Sequence, residues 1–149
     1  MTEHKKHCIF GIRKIRELRD IGERMNKILV IDDDQDLAEI IKAVLEYVGY
    51  SVLVSHEAKD GIIKAKEQKP DLILLDIVMP GMDGPEATKI LKSENSTKDI
   101  PVIFLTGLVS NEDTGSGLGS INIDGVEYQN IAKPFENEKL LEIIRSVLG

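Results

Sequence analysis

From position 27 onward, short runs of consecutive apolar residues alternate with longer segments in which apolar residues recur every three or four positions. The uninterrupted runs predict strands of a parallel sheet, because helices cover both faces of such a sheet. The spaced segments predict helices with one apolar face. The predicted strands span 28–31, 52–54, 72–75, 102–105 and 128–132. The predicted helices span 37–48, 57–69, 85–92 and 140–148.

This order of elements predicts an α/β protein with a parallel sheet and right-handed crossovers. The segment 107–120 interrupts the pattern, since it holds four glycines among Ser, Asn and Asp residues. We therefore expect a short or irregular helix there, or a loop, in place of a regular fourth helix.

Length and charge divide the 149 residues into one domain at 27–149 and an extension at 1–26. The extension holds seven Lys and Arg against four Asp and Glu, whereas the domain holds twelve against twenty-two. An acidic domain argues against direct nucleic-acid binding. With no secretory signal and no apolar run that could cross a bilayer, we expect a cytoplasmic protein without membrane contact.

The extension has an imperfect apolar stripe that predicts a weakly ordered basic helix without a catalytic role. His4, His7 and Cys8 lie within it, but a disordered terminus is the simpler interpretation of these residues than a metal site. As the single cysteine of the chain, Cys8 excludes an internal disulfide.

Polar residues follow four of the predicted strands. Asp32, Asp33 and Asp34 follow the first, Asp76 the third, Thr106 the fourth, and Lys133 the fifth. Because the carboxyl ends of parallel strands meet at one edge of the sheet, these side chains are expected to converge there. Taken singly, Thr106 and Lys133 are ordinary loop residues, and taken together they indicate a site.

Clustered carboxylates favour a hard divalent cation, and Mg²⁺ binds one or two carboxylates together with phosphate oxygens. Asp76 stands alone before a flexible turn and is the better nucleophile for phosphorus, while Asp32 and Asp33 are the better metal ligands. Lys133 and Thr106 would contact the phosphoryl group. Two aspartates have simpler roles: Asp34 or Asp36 as a helix cap, and Asp83 as a turn former.

At this point the chain resembles a known family, the receiver domains of bacterial two-component response regulators. The resemblance covers 27–149 and rests on the segments ILVIDDD at 28–34, PDLILLDIVMPGMDG at 70–84, PVIFLTG at 101–107 and AKPF at 132–135. It implies a doubly wound, flavodoxin-like (βα)5 fold with a five-stranded parallel sheet.

The resemblance also implies roles for individual residues. Asp76 would accept a phosphoryl group from a phosphohistidine on a sensor histidine kinase or phosphotransfer protein. Asp33, Asp76 and the backbone carbonyl of Val78 would bind Mg²⁺, with Asp32 acting through water. Thr106 would move toward the phosphoryl group, Lys133 would contact it, and a downstream protein would read the resulting change, with phosphorylation-linked homodimerisation as a further possibility.

The chain departs from the family pattern near its fifth strand. Asn130 stands where the family carries a Tyr or Phe that acts as a rotamer switch, and strand alternation puts Tyr128 on the same face. The interval between Thr106 and Lys133 is also somewhat longer than usual in the family. These departures concern the output mechanism and leave the phosphorylation chemistry intact.

Three functions stay open on the sequence. The first is a stand-alone phosphoacceptor switch, since the closing helix ends at Gly149 and no output domain is expected after it. The second is a Mg²⁺-dependent phosphohydrolase of the haloacid-dehalogenase type, in which Asp32 and not Asp76 would be the nucleophile. The third is a pseudo-receiver, an interaction module that ignores phosphorylation. The first is favoured because the acidic pair, the acceptor and the lysine are all present.

Overall fold

The computed structural model describes residues 25–107 and 118–149. Within them, six strands form one sheet and four helices cover it. The strands are β1 (Lys27–Ile31), β2 (Ser51–Ser55), β3 (Leu72–Asp76), β4 (Val102–Thr106), β5 (Leu118–Ile123) and β6 (Val126–Ala132). The helices are α1 (Gln35–Tyr47), α2 (Ala58–Gln68), α3 (Gly84–Lys92) and α4 (Asn137–Leu148).

Five of the strands form the predicted parallel arrangement. The sheet has the order β2-β1-β3-β4-β6-β5, and every neighbouring pair up to β6 is parallel. The order reverses direction at β1, as in a doubly wound sheet. The predicted α/β fold class is confirmed, and the observed elements lie within a few residues of the predicted ones.

Side-chain caps explain where two of the helices begin. The carboxylate of Asp34 accepts a hydrogen bond from the Leu37 amide at the start of α1, and Asp83 does the same for Glu86 at the start of α3. Such side-chain caps satisfy amide groups that have no partner inside the helix. The expected capping role of Asp34 is therefore confirmed, and Asp83 acts as a cap at the end of its turn.

The sheet separates two apolar layers. On one face, α1 and α4 bury β1, β3 and β4 side chains such as Val30 and Leu74, and on the other face α2 and α3 bury the alternate residues, such as Leu29 and Phe104. Both layers consist almost entirely of Ile, Leu, Val and Ala. All five residues of β3 are buried, as expected for a central parallel strand that is covered by helices on both faces.

The five predicted parallel strands are all present, and β5 adds a sixth, unpredicted strand that is antiparallel to β6. Asp124 and Gly125 join the two strands in a two-residue turn, and both have positive φ. An Asp-Gly pair favours this turn, whose twist matches that of the flanking strands. Residues 118–120, expected within a helix or loop, belong to β5, and 108–117 lie outside the described residues.

Two further findings bear on the sequence predictions. No helix in the described ranges is long and apolar enough to cross a membrane. The predicted helix of the extension and the group His4, His7 and Cys8 lie outside the described residues.

Candidate functional site

Four parallel strands bring the predicted site residues to one edge of the sheet. Asp32 directly follows β1, Asp76 ends β3, Thr106 ends β4, and Lys133 directly follows β6. A carboxylate oxygen from each of Asp32, Asp33 and Asp76 lies within 4.8 Å of the other two. The Lys133 backbone amide donates a hydrogen bond of 2.7 Å to the Thr106 carbonyl, which fixes the lysine beside the end of β4.

Asp32 is held rigidly at the bottom of this cluster. Its side chain is completely buried, with one oxygen accepting a hydrogen bond from the Asp34 amide (2.9 Å) and the other from the Lys133 ammonium (2.9 Å). Its own amide donates to the carbonyl of Ser55 at the end of β2. Both carboxylate oxygens of Asp32 are therefore engaged in defined hydrogen bonds.

Lys133 links the two buried carboxylates. Its ammonium lies 2.9 Å from Asp32 Oδ2 and 3.3 Å from Asp76 Oδ1. Burial works against the charged ammonium, but the hydrogen bond and charge of Asp32, together with the charge of Asp76, outweigh it and raise the pKa of Lys133. The lysine is therefore cationic throughout the physiological pH range.

The carboxyl group of Asp76 has a raised pKa. Burial and, after it, the negative charge of Asp32 raise its pKa from an ordinary 3.8 to about 6, although Lys133 partly opposes the shift. Asp33, by contrast, is exposed. The cluster thus has a concentrated negative charge that one lysine does not neutralise, and its ligands are hard oxygens of the kind that Mg²⁺ prefers.

The backbone after Asp76 is fixed by contacts on both sides. The Ile77 amide donates to the Leu105 carbonyl (3.1 Å), and the Gly84 amide donates to the Ile77 carbonyl (2.8 Å). A Cβ added at Gly84 would lie 2.6 Å from the Asp76 carbonyl oxygen, so α3 begins against β3 at a distance that only glycine permits. Val78, two residues after Asp76, is exposed.

Comparison with known proteins agrees with this geometry. The family model for the response regulator receiver domain matches residues 28–145. The chain belongs to this family. Receiver domains are the phosphoacceptor modules of two-component systems, and the matched region contains all of the clustered side chains.

This receiver domain is similar to curated proteins and to solved structures. It is 36% identical to the protein PilH of Pseudomonas aeruginosa over 84% of this chain and 99% of PilH. It is 38% identical to the uncharacterized transcriptional regulatory protein YkoG of Bacillus subtilis over 81% of this chain, and it spans about half the length of YkoG. Among solved structures, this chain is similar to the receiver domain of sensor histidine kinase PA1611 of P. aeruginosa, which has a magnesium ion coordinated in its active site cleft. The two superpose with a TM-score of 0.70 and are 25% identical, and the match covers 85% of this chain and 99% of that domain.

Asn130 and Tyr128 lie on β6, short of the strand end that carries the site of the receiver domain. Asn130 pairs with Phe104 of β4, and the Tyr128 ring packs edge-on against the Phe104 ring with 5.7 Å between centroids. The Asn130 side chain is buried, and its Oδ1 accepts no hydrogen bond from the described residues. An acceptor left without a donor in the interior destabilises the conformation in which it occurs.

One residue near the site was not predicted. His56 follows β2, and its Nδ1 lies 3.1 Å from the Asp32 carbonyl oxygen. It lines, with Asp33, Lys59 and Met82, a cavity of about 420 Å³ at the entrance to the acidic cluster. The rule that polar residues at strand ends build the site applies equally to β2, and it would have identified His56.

Proposed function

We propose that this receiver domain is a phosphoacceptor switch in which Asp76 receives a phosphoryl group from a phosphohistidine of a sensor histidine kinase or phosphotransfer protein. The observation that carries the proposal is the position of Asp76. It ends the middle strand within reach of two further carboxylates, and its Oδ1 lies 3.3 Å from the Lys133 ammonium.

The chemistry follows from the charges of these side chains. An Asp76 carboxylate oxygen attacks the phosphorus atom, a P–O bond forms, the P–N bond to the donor histidine breaks, and the electron pair of that bond leaves with the imidazole. Lys133 balances negative charge on the transferred group, and the Thr106 hydroxyl donates to one of its oxygens. Asp32 keeps Lys133 in position through its 2.9 Å hydrogen bond.

The residues present fit a Mg²⁺ ion, since three carboxylate oxygens converge within 4.8 Å. Asp33, Asp76 and the backbone carbonyl of Val78 would hold it, with Asp32 acting through water. When bound, Mg²⁺ supplies positive charge to the transferring phosphoryl oxygens. Magnesium alone should raise the midpoint of thermal unfolding of the wild type and should have no such effect on Asp33→Asn.

The surroundings of Asp32 disfavour the phosphohydrolase alternative. In that mechanism Asp32 would be the nucleophile, yet both of its oxygens accept hydrogen bonds and its side chain is fully buried. Asp76 lies nearer to the mouth of the site and makes a longer contact with Lys133. The transfer would therefore proceed through Asp76.

We further propose that the output passes through Thr106, Asn130 and Tyr128. Movement of Thr106 toward a phosphoryl group would alter the packing beside Phe104, where the unpartnered Asn130 oxygen favours rearrangement. A downstream protein would read this change. The match to PilH along almost the whole of that protein supports a stand-alone type of regulator.

Intact-mass measurement after incubation with acetyl phosphate and Mg²⁺ tests the acceptor. The wild type and Asp36→Asn, which changes an exposed carboxylate of α1, should each gain one phosphoryl group, and Asp76→Asn should gain none. An adduct that survives in Asp76→Asn and disappears in Asp32→Asn would favour the phosphohydrolase.

Beryllofluoride binding tests the case in which no adduct accumulates, because it mimics the acyl phosphate without being hydrolysed. Binding to the wild type would show rapid hydrolysis of the adduct, and its absence would leave a pseudo-receiver.

For the output, beryllofluoride should change amide hydrogen exchange at Tyr128 and Asn130 in the wild type and not in Thr106→Val. An unchanged exchange pattern in the wild type would reject this output path.

A further inference from the structure

We propose that β5 is a homodimerisation edge, along which two copies of this chain join their sheets antiparallel about a two-fold axis centred on Ile121. This interface is formed by the hairpin β5–β6 and is independent of the phosphorylation chemistry. The sheet has two edges, which are formed by β2 and β5.

The two edges differ in their protection. At the β2 edge, the Lys64 ammonium of α2 donates a 2.6 Å hydrogen bond to the Val54 carbonyl, and the Ser55 hydroxyl donates to Asp60. At the β5 edge, no described side chain outside the hairpin bonds to the strand. Proteins ordinarily block such edges with charged residues, prolines or bulges. The β5 sequence, LGSINI, has no charged residue and no proline, although charged residues make up 30% of the chain.

The hairpin geometry determines which backbone groups face outward. In the turn at Asp124 and Gly125, the Ile123 carbonyl accepts from the Val126 amide, so these two residues form a hydrogen-bonded pair. Hydrogen-bonded and non-hydrogen-bonded pairs alternate along an antiparallel ladder. The amides and carbonyls of Asn122 and Ser120 therefore point away from β6, toward the open edge.

The strand is complementary to itself in one register. With Ile121 opposite Ile121 of a second copy, each Ser120 faces an Asn122, and each pair can exchange two backbone hydrogen bonds. Gly119 then faces Ile123, so a residue without a side chain lies opposite a large one. Ile121 and Ile123 of the two copies meet on the sheet face toward Phe104, where Ile121 is only partly buried. Ser120 and Asn122 meet on the opposite face.

This self-complementarity identifies a second copy as the occupant. A two-fold interface requires the same surface to fit itself. The body of the chain is strongly acidic, which makes an uncharged strand a place where two copies meet without direct repulsion. The six residues of β5 extend for about 20 Å. Contact along this one strand buries less surface area than a standard protein–protein interface, so we expect a weak and concentration-dependent dimer.

Two matched double variants test the register. Ser120→Lys with Asn122→Lys places lysine opposite lysine across the dimer. Ser120→Glu with Asn122→Lys places glutamate opposite lysine instead. The variants differ only at position 120, whose neighbour on β6 is the uncharged Gln129, and both lose the same Asn122 contact with the Gly125 amide. Any shared effect on the hairpin therefore cancels.

Sedimentation velocity over a range of concentrations should show a monomer–dimer equilibrium for the wild type. The dimer of the lysine–lysine variant should be at least tenfold weaker than that of the glutamate–lysine variant, since two cross-strand charge pairs change sign. Hydrogen exchange at the Ser120 and Asn122 amides of the wild type should slow as concentration rises, while that of Ile121, bonded within the hairpin, should be slow at every concentration.

Two results would overturn the proposal. One is a wild type that stays monomeric with Ser120 and Asn122 amides exchanging at a rate independent of concentration, which would leave the edge to another kind of partner or to solvent. The other is a dimer that both double variants form as strongly as the wild type, because its interface would then lie elsewhere. Acetyl phosphate labelling of Asp76 should proceed in both variants, which separates a failure of this interface from a failure of the proposed chemistry.

Discussion

Replacement of the proposed acceptor, Asp76→Asn, should stabilise the metal-free protein at neutral pH. The buried carboxyl has a pKa of about 6 against an ordinary 3.8, so its ionised form is disfavoured in the folded state. That difference corresponds to about 3 kcal/mol at pH 7. The opposing effect of Lys133 is already contained in this pKa, so the loss of its ion pair adds no separate cost, and we expect a net gain of about 1 to 3 kcal/mol in the free energy of unfolding.

The pH dependence gives the sharper test of this reasoning. Between pH 4 and pH 6, the folded protein keeps a proton on Asp76 that the unfolded chain releases, so the stability of the wild type falls as pH rises through this window. Above pH 6 the contribution is constant. The advantage of Asp76→Asn should therefore be small near pH 4, grow up to about pH 6, and stay level at higher pH.

Urea denaturation with EDTA present, repeated from pH 4 to pH 8, measures this profile. Asp36→Asn serves as the control, because that carboxylate is exposed and its removal should change stability by less than about 0.5 kcal/mol. The reasoning fails if Asp76→Asn is no more stable than the wild type at pH 7, or if its advantage is the same at pH 4. Added Mg²⁺ should reduce the advantage by stabilising the wild type alone.

Three further substitutions have defined outcomes. Lys133→Ala should lower the free energy of unfolding, measured by urea denaturation, by about 3 kcal/mol, because it leaves the fully buried Asp32 carboxylate without its cation. Gly84→Ala should lower the free energy of unfolding by about 1 to 3 kcal/mol and slow phosphorylation by acetyl phosphate, since the new Cβ would lie 2.6 Å from a backbone oxygen of β3. Gly107→Ala, whose Cβ would have no atom of the described residues within 4 Å, should do neither. Asn130→Leu should raise the thermal midpoint, with a gain of about 1 kcal/mol in the free energy of unfolding, because it removes a buried acceptor that has no donor among the described residues.

Each of these outcomes can be contradicted directly. A loss below 1 kcal/mol for Lys133→Ala would mean that Asp32 is protonated or solvated when the lysine is absent. Equal effects of the two glycine substitutions would show that the start of α3 can shift away from Asp76. A lower thermal midpoint for Asn130→Leu would indicate that the asparagine side chain is stabilised by its surroundings.

The sequence predicted the parts of the fold that are set by local pattern. Uninterrupted apolar runs indicated the buried strands, and the residues after them indicated the convergence of Asp32, Asp33, Asp76 and Lys133. These predictions succeed because strand direction in a parallel sheet brings all carboxyl ends to one edge. Geometry that depends on side-chain packing, such as the close approach of Gly84 to β3, has no comparable signal in the pattern.

The hairpin is a part of the fold that the sequence analysis did not predict. The glycines of 107–120 argue against a regular helix, yet the alternation of Ile121 and Ile123 before Asp124–Gly125 is a strong hairpin signal. The unpartnered acceptor of Asn130 could not be predicted either, because strand alternation gives the face on which a side chain lies and not its hydrogen-bond partners.

The hydrogen bond between Asp32 and Lys133 has a consequence for when the protein becomes active. It joins residues 101 positions apart, so the acidic residues leave the ribosome well before the lysine that neutralises them is synthesised. A nascent or truncated chain that ends before β6 has the aspartates without this cation. Under the proposed function, such chains should not accept a phosphoryl group, so phosphorylation of Asp76 would require completed synthesis and folding of the domain.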